Sequence, residues 1–241
     1  MTAEDPWARA VRQQVGLGRL LPLGGARDGG WITEAAARAV LRRAAAEVPG
    51  VRLGALRITL ADPDEVAEPA VPPPPSALPP GPLRVAADFA ATAAAPLPEA
   101  ASRLRLALST AADRRLGLTV RDVDLRVTEL LDGPAEPTKA RMPQPPLARE
   151  GTDPDEIRAA TAARSVPGVV RLTGGLGGRG RGVHCDERRD GSAALPHRHV
   201  RVELAVAEGH RPRDVVRQVR TAVAAALEGR PTVAVLVTAV G

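Results

Sequence analysis

Val48-Pro49-Gly50-Val51 follows an alanine-rich stretch and opens an apolar run ending at Leu53; Val166-Pro167-Gly168-Val169 does the same and ends at Leu172. Reading outward from these turns decides the fold. Downstream of the first lies Leu83-Arg84-Val85-Ala86-Ala87-Asp88-Phe89, and at nearly the same distance from the second lies Val200-Arg201-Val202-Glu203-Leu204-Ala205-Val206. Apolar residues alternate in phase in both. A helical pattern and a last alternating strand follow each time. Four echoes in one order point to an internal duplication.

Each element has a local cause. Thr33 is placed to cap a helix running to about Glu47, with Ala36, Val40 and Ala44 on one side. Proline at 49 stops it, because a proline cannot continue the ladder and restricts the residue before it. Gly50 turns the chain into a strand from Val51 to about Leu60. Leu83, Val85, Ala87 and Phe89 share a face of the next strand. Pro98 suits the first turn of a helix carrying Ala101, Leu104, Leu108 and Ala111, and Gly117 follows it. Val123, Leu125 and Val127 alternate in the strand after that. The second half repeats the grammar: Asp153-Pro154 opens a helix to about Ser165, and a strand starts at Val169. Another strand spans His199 to Ala207. Pro212 opens a helix with Val216, Val219 and Val223, which Gly229 closes, and Thr232 to Ala239 is the final strand. That strand is apolar almost throughout, which predicts a central or doubly covered position.

The expected fold class is therefore α+β: two tandem, diverged copies of an α-β-β-α-β two-layer module, each a mixed sheet with helices on one face. Residues 1–29 form an N-terminal segment and 30–131 the first module, with a proline-rich arm at 67–82. Residues 132–150 are a proline-rich linker. Residues 151–241 are the second module, with a Gly/Arg-rich loop at 174–182 expected to join its first two strands. The pattern Trp7, Val11, Val15 suits a short N-terminal helix, followed by apolar Leu20 and Leu21 among glycine and proline. This segment either covers a sheet edge or groove of the first module or docks a partner.

Composition narrows the function classes. Alanine, valine and leucine dominate, and the aromatics are Trp7, Trp31 and Phe89 alone, so Trp31 and Phe89 are expected as core anchors. The net charge of +5 lies mostly after Gly151 and is carried by arginine, Lys139 being the single lysine. A modest surplus of this kind permits contact with nucleic acid or anionic lipid without requiring either. Cys185 stands alone, so no intrachain disulfide is possible and a reducing cytoplasm fits. The start of the chain lacks a signal-peptide pattern, and no apolar stretch reaches the ~20 residues of a membrane span.

Candidate chemistry is sparse. Gly175-Leu176-Gly177-Gly178-Arg179-Gly180 fits the letters of a dinucleotide fingerprint, but no helix signal follows the third glycine. The same stretch resembles an RGG segment, where Arg179 and Arg181 could meet phosphates, although no aromatic is interleaved for base stacking. A hairpin tip accounts for it more simply. His184, Cys185, His197 and His199 are the only cluster of metal-type ligands, weakened by the adjacency of His184 and Cys185. Asp122 and Asp124 share one side of a strand, as the solvated outer face of a half-buried strand would. No serine has a plausible base beside it. No catalytic residue, cofactor or firm metal site is therefore assigned; the interaction candidates are Trp7, Leu20, Leu21, Arg179 and Arg181.

With its elements placed, the chain resembles the alkaline shock protein family of bacterial envelope-stress proteins, in an actinobacterial variant with two copies. The resemblance rests on Gly30-Trp31-Ile32-Thr33 entering the first helix and on Val48-Pro49-Gly50-Val51. It extends through the Leu83 strand, Leu116-Gly117-Leu118 and Val120 to Val127. The second half matches in outline from Val166, Pro167, Gly168 and Val169 onward. The resemblance implies a non-enzymatic cytoplasmic scaffold or adaptor. It would bind a small integral membrane protein, or a further copy of itself, and sit at the inner face of the membrane through that partner. A nucleic-acid-binding module using the basic second half is the alternative.

Overall fold

The computed structural model describes residues 18–133, 142–175, 180–188 and 197–241. Two short strands come first, β1 (Leu20–Pro22) and β2 (Gly30–Thr33), then helix α1 (Glu34–Ala46), β3 (Val51–Leu60) and β4 (Leu83–Thr92). Helix α2 (Leu97–Thr110) runs on into a π-helical turn (Ala111–Leu116), and β5 (Val120–Leu131) follows. The second half holds α3 (Pro154–Arg164), β6 (Val169–Leu172), β7 (Val183–Arg188), β8 (His197–Val206), α4 (Pro212–Ala226) and β9 (Thr232–Val240). The chain is thus α+β, with four α-helices and two mixed sheets among the described residues.

Pairing follows the same rule in each half. In the first, β3 runs antiparallel to β4 and β4 parallel to β5. In the second, β6 and β7 run antiparallel to β8, and β8 runs parallel to β9. The two proline turns also match. Gly50 at φ +71° and Gly168 at φ +90° adopt the left-handed backbone that glycine accepts without Cβ strain.

The sheets differ in what is added to them. Among the described residues β3-β4-β5 is a three-stranded sheet, whereas the other sheet has the order β1-β2-β9-β8-β6, with β7 also on β8. Gly30-Trp31-Ile32, expected at the entry to the first helix, is instead a strand lying parallel to β9 of the second half. The expected border at residue 30 therefore falls inside a hairpin. β9 is central, as its apolar run implied, and Val233 through Val240 are all buried.

Helix α1 explains why the core can be built from small side chains. Ala36, Ala37, Ala39, Val40, Leu41, Ala44 and Ala45 are all buried, so the helix is covered on most of its circumference. It packs on β3 of one sheet and on β9 and β2 of the other. Alanine there lets the backbone approach both sheets closely, which fills the space without aromatics. Thr33 caps it by accepting from the Ala36 amide at 3.2 Å. One continuous apolar cluster joins the inner faces of both sheets through the helices.

On the opposite face of the larger sheet sits a second, small cluster. Trp31, 1% exposed, packs with Leu20, Val71, Ala234 and Leu236. Val71 belongs to the proline-rich arm, which doubles back through Ala67 N–H to Pro80 O and Ala61 N–H to Pro82 O, both 2.8 Å. The arm is tied to the β1–β2 hairpin by Ala70 N–H to Ala26 O at 2.9 Å and Leu78 N–H to Leu20 O at 2.9 Å. Leu20 and Leu21, expected among the interaction residues, are therefore core: they are 2% and 0% exposed. Leu20 is covered by the arm on the outer face with Trp31 and Val71, whereas Leu21 points the other way into the main core with Leu23 and Ile32. The interaction candidate Trp7 lies outside the described residues.

A carboxylate bolts this hairpin to the second half. Asp28 accepts from the Gly25 amide at 2.8 Å, from Arg213 Nη2 at 3.1 Å and from Arg217 Nε at 2.5 Å, both arginines being on α4. Burial by itself would raise its pKa, but these donors and the two positive charges outweigh burial and hold the carboxyl below the usual aspartate value. A lowered folded-state pKa means stability that is present above the unfolded-state value and lost as pH falls through the folded-state value. Asp28→Asn is expected to cost about 1–3 kcal/mol at neutral pH. The gap between variant and parent should narrow below about pH 4, where the unfolded aspartate takes up its proton. Urea titrations at a series of pH values measure this, and a gap independent of pH would contradict the clamp.

Candidate functional site

The Gly/Arg-rich stretch has a different place from the one expected. β6 and β7 lie end to end on the same side of β8, and Thr173 N–H and the Gly182 carbonyl both bond to Glu203, at 3.0 and 2.8 Å. The stretch is an excursion from within one strand position; β7 and β8 are joined instead through residues 189–196. The sequence hid this because glycine marks both hairpin tips and strand interruptions. The excursion is anchored: the Gly175 amide donates to Glu203 Oε2 at 2.8 Å, and Arg181 Nη1 donates to the buried Glu156 at 2.7 Å. Arg181 is thus spent on a carboxylate of α3, and Arg179 lies outside the described residues. Linker residues complete this edge, with Ala148 N–H to Leu172 O at 3.2 Å and Arg149 N–H to Gly180 O at 2.7 Å.

The weak metal cluster is divided by the pleat. His184 lies opposite Arg201, Asp186 opposite His199, and Cys185 opposite Val200. Opposite residues share a face, so Cys185 points to the core side with Val200 and the histidines point to the other. His199 Nδ1 is 2.8 Å from Thr232 Oγ1. Burial first, and then the charges of Arg201 and Arg181, lower the His184 pKa below the ordinary histidine value. Burial, reinforced by Glu156 and Asp153, pushes the Cys185 thiol up to about 11, which suits an inert half-buried thiol. Among the described residues no three His, Cys, Asp or Glu side chains gather as a metal site. No described helix is long and apolar enough to cross a membrane.

Two concave regions were not anticipated. A cavity of about 320 Å³ lies where the halves meet, lined by Val40, Arg43, Arg114, Arg115, His210 and Arg211 among others. Its arginines are largely matched by carboxylates: Arg43 with Glu208, Arg115 with Glu47 at 3.0 and 2.9 Å, and Arg211 with Asp113 at 3.0 Å. The π-helical turn is what presents Arg114 and Arg115 there, and nothing in the local sequence announces it. The second region, of about 420 Å³, is a shallow trough on the outer face of β3-β4-β5. Ala55, Ala86 and Ala87 form its floor, and Arg57, Asp88, Asp124 and Arg126 surround it.

That outer face leads to the most exposed element. Asp122 and Asp124 share Arg84 at 3.4 and 3.6 Å, Asp88 takes both Nε and Nη2 of Arg126 at 2.9 and 3.1 Å, and Glu129 takes Arg52 at 2.6 Å. The pair Asp122 and Asp124 is thus a solvated ion-pair ladder, as the outer face of a strand implied. Arg121 sits at a register irregularity and reaches Glu65 at 2.5 Å. Among the described residues β5 has a strand neighbour only on its β4 side. It is twelve residues long, and Val127 and Leu130 are 39% and 59% exposed. At the corresponding place in the larger sheet, β9 is covered by β2. An open strand of this length offers unpaired amides and carbonyls to another chain.

Comparison with family models, with curated proteins and with solved structures finds no match.

Proposed function

We propose that this chain is a non-enzymatic scaffold or adaptor that binds a protein partner through the edge of β5 and the adjoining outer face. The observation that carries the reading is the contrast between β9, whose outer side is taken by β2, and the long β5, which among the described residues pairs only with β4. Strand addition at such an edge uses main-chain bonds for affinity and side-chain pattern for choice of partner. We also infer that the chain is two diverged copies of one α-β-β-α-β module. The shared element order, the antiparallel-then-parallel pairing and the matched proline turns support that. The resemblance to the alkaline shock family adds the expected setting: cytoplasmic, and held at the inner face of the membrane by a small integral partner.

The test is photo-cross-linking in cells, since Lys139 is the only lysine and amine reagents would find little. A photoreactive side chain replaces exposed Thr128 on β5 or, as a control, exposed Glu228 after α4. Cross-linked protein at 128 and not at 228 supports the reading. Equal labelling at both, or retention on nucleic acid that falls steeply with salt, overturns it.

A further inference from the structure

We propose that the occupant of the β5 edge is β5 of a second copy, paired antiparallel about a two-fold axis through Leu125. The inference rests on the reading of β5 as a docking edge and names what docks.

It follows from symmetry and sign. An antiparallel pair of identical strands related by a two-fold axis normal to the sheet places residues i and j opposite each other with a constant sum. Opposite residues then share a face. Centring the axis on Asp124 sets Asp124 against its own copy, and centring it on Arg126 sets Arg126 against itself; like charges directly opposite are unfavourable. Centring it on Leu125 sets Asp124 against Arg126 twice, Val123 against Val127 twice, and Leu125 against Leu125. The run 122–127 lies between the two register irregularities of the β4–β5 ladder, so this stretch is regular strand. Edge charges usually guard against pairing. Here they exclude the neighbouring registers and favour one.

The surroundings fit. Asp124 is already held by Arg84 at 3.6 Å and Arg126 by Asp88 at 2.9 Å, so the new contacts would extend an existing ladder across the junction. On the other face, exposed Val127 would gain cover from Val123 of the second copy. Arg105 of α2 donates to the Val123 carbonyl at 3.2 Å, an exposed bond from a long side chain that a strand amide can replace. The product is a six-stranded sheet, β3-β4-β5 joined to its copy. A contact of one strand is small, so association is expected to be weak and concentration-dependent.

The experiment uses the full chain. Sedimentation velocity of the unaltered protein is expected to show a reversible dimer growing in up to about 100 μM. Asp124→Arg, which sets arginine against Arg126 of the second copy, should shift the equilibrium about tenfold toward monomer. In a Cys185→Ala background, Leu125→Cys should oxidise to a disulfide-linked dimer, because directly opposite Cα atoms lie about 4.5–5.5 Å apart. Asp124→Cys should not, its own copy being diagonal at about 7–8 Å. A chain that stays monomeric throughout, or a dimer that links equally at 124 and 125, overturns the proposal. A monomer that still cross-links a foreign protein from position 128 overturns only this inference and leaves the docking edge standing. A monomer with no protein captured there removes both.

Discussion

Trp31→Ala is expected to lower the stability of the chain by about 3–5 kcal/mol, a large share of the roughly 5–15 kcal/mol of a typical domain. The ring is where three distant segments meet: Leu20 from β1, Val71 from the proline-rich arm, and Ala234 and Leu236 from β9. Removing it opens a cavity whose walls come from separate parts of the chain, held apart by their own sheet and arm bonds, so collapse is incomplete. The Leu78 carbonyl, which accepts from Trp31 Nε1 at 3.2 Å, also loses its donor. Trp31→Phe keeps most of the apolar body and loses the N–H, and should cost about 1–2 kcal/mol. Urea unfolding followed by circular dichroism measures both, since Trp31 is one of only two tryptophans and fluorescence would change with the substitution itself. The midpoint should fall with the slope unchanged. A loss under about 1 kcal/mol for alanine would contradict the packing of the arm on this face.

The second large effect is expected at Phe89→Ala, again about 3–5 kcal/mol. Phe89 is the only phenylalanine, is fully buried, and lies opposite Leu53 on β3 and Val127 on β5. No polar atom complicates the account; the loss is apolar transfer plus the cavity left behind. Phe89→Leu should recover most of it, leaving about 1.5 kcal/mol or less. Because Val127 is already 39% exposed, truncation should also loosen the outer half of β5. Faster amide exchange there than in β9 would report that local effect. Trp31 and Phe89 belong to separate clusters, so the double substitution should be additive within about 0.5 kcal/mol. Strong coupling would mean that the two clusters are not separate.

The edge illustrates how far a site can be read from sequence. The alternation at Val123, Leu125 and Val127 and the acidic pair Asp122 and Asp124 already imply one buried and one solvated face. The order of signs, Asp124 then Arg126 about Leu125, is also visible in the sequence. Its meaning is not, because the same charges on a strand with two neighbours would be only a surface pattern. The weak metal candidates His184, Cys185, His197 and His199 are near in sequence, but the pleat turns Cys185 to one face and the histidines to the other, and no spacing rule for loops anticipates a strand across 183–188.

Helix limits were legible because their causes are local. Thr33 before Glu34, Pro49 after Ala46 and Pro212 at the start of α4 act within one turn through caps and missing donors. The proline turns and the alternating strands were legible for the same reason, since period two reports which side of a strand is buried. Which strand lies beside which is set by hydrogen bonds and burial between residues far apart in the chain. So β2 joining β9, the arm covering Trp31 and the excursion within the β6–β7 strand appeared only in the tertiary structure. The open β5 belongs with them, because a strand's own residues do not say whether a neighbour arrives.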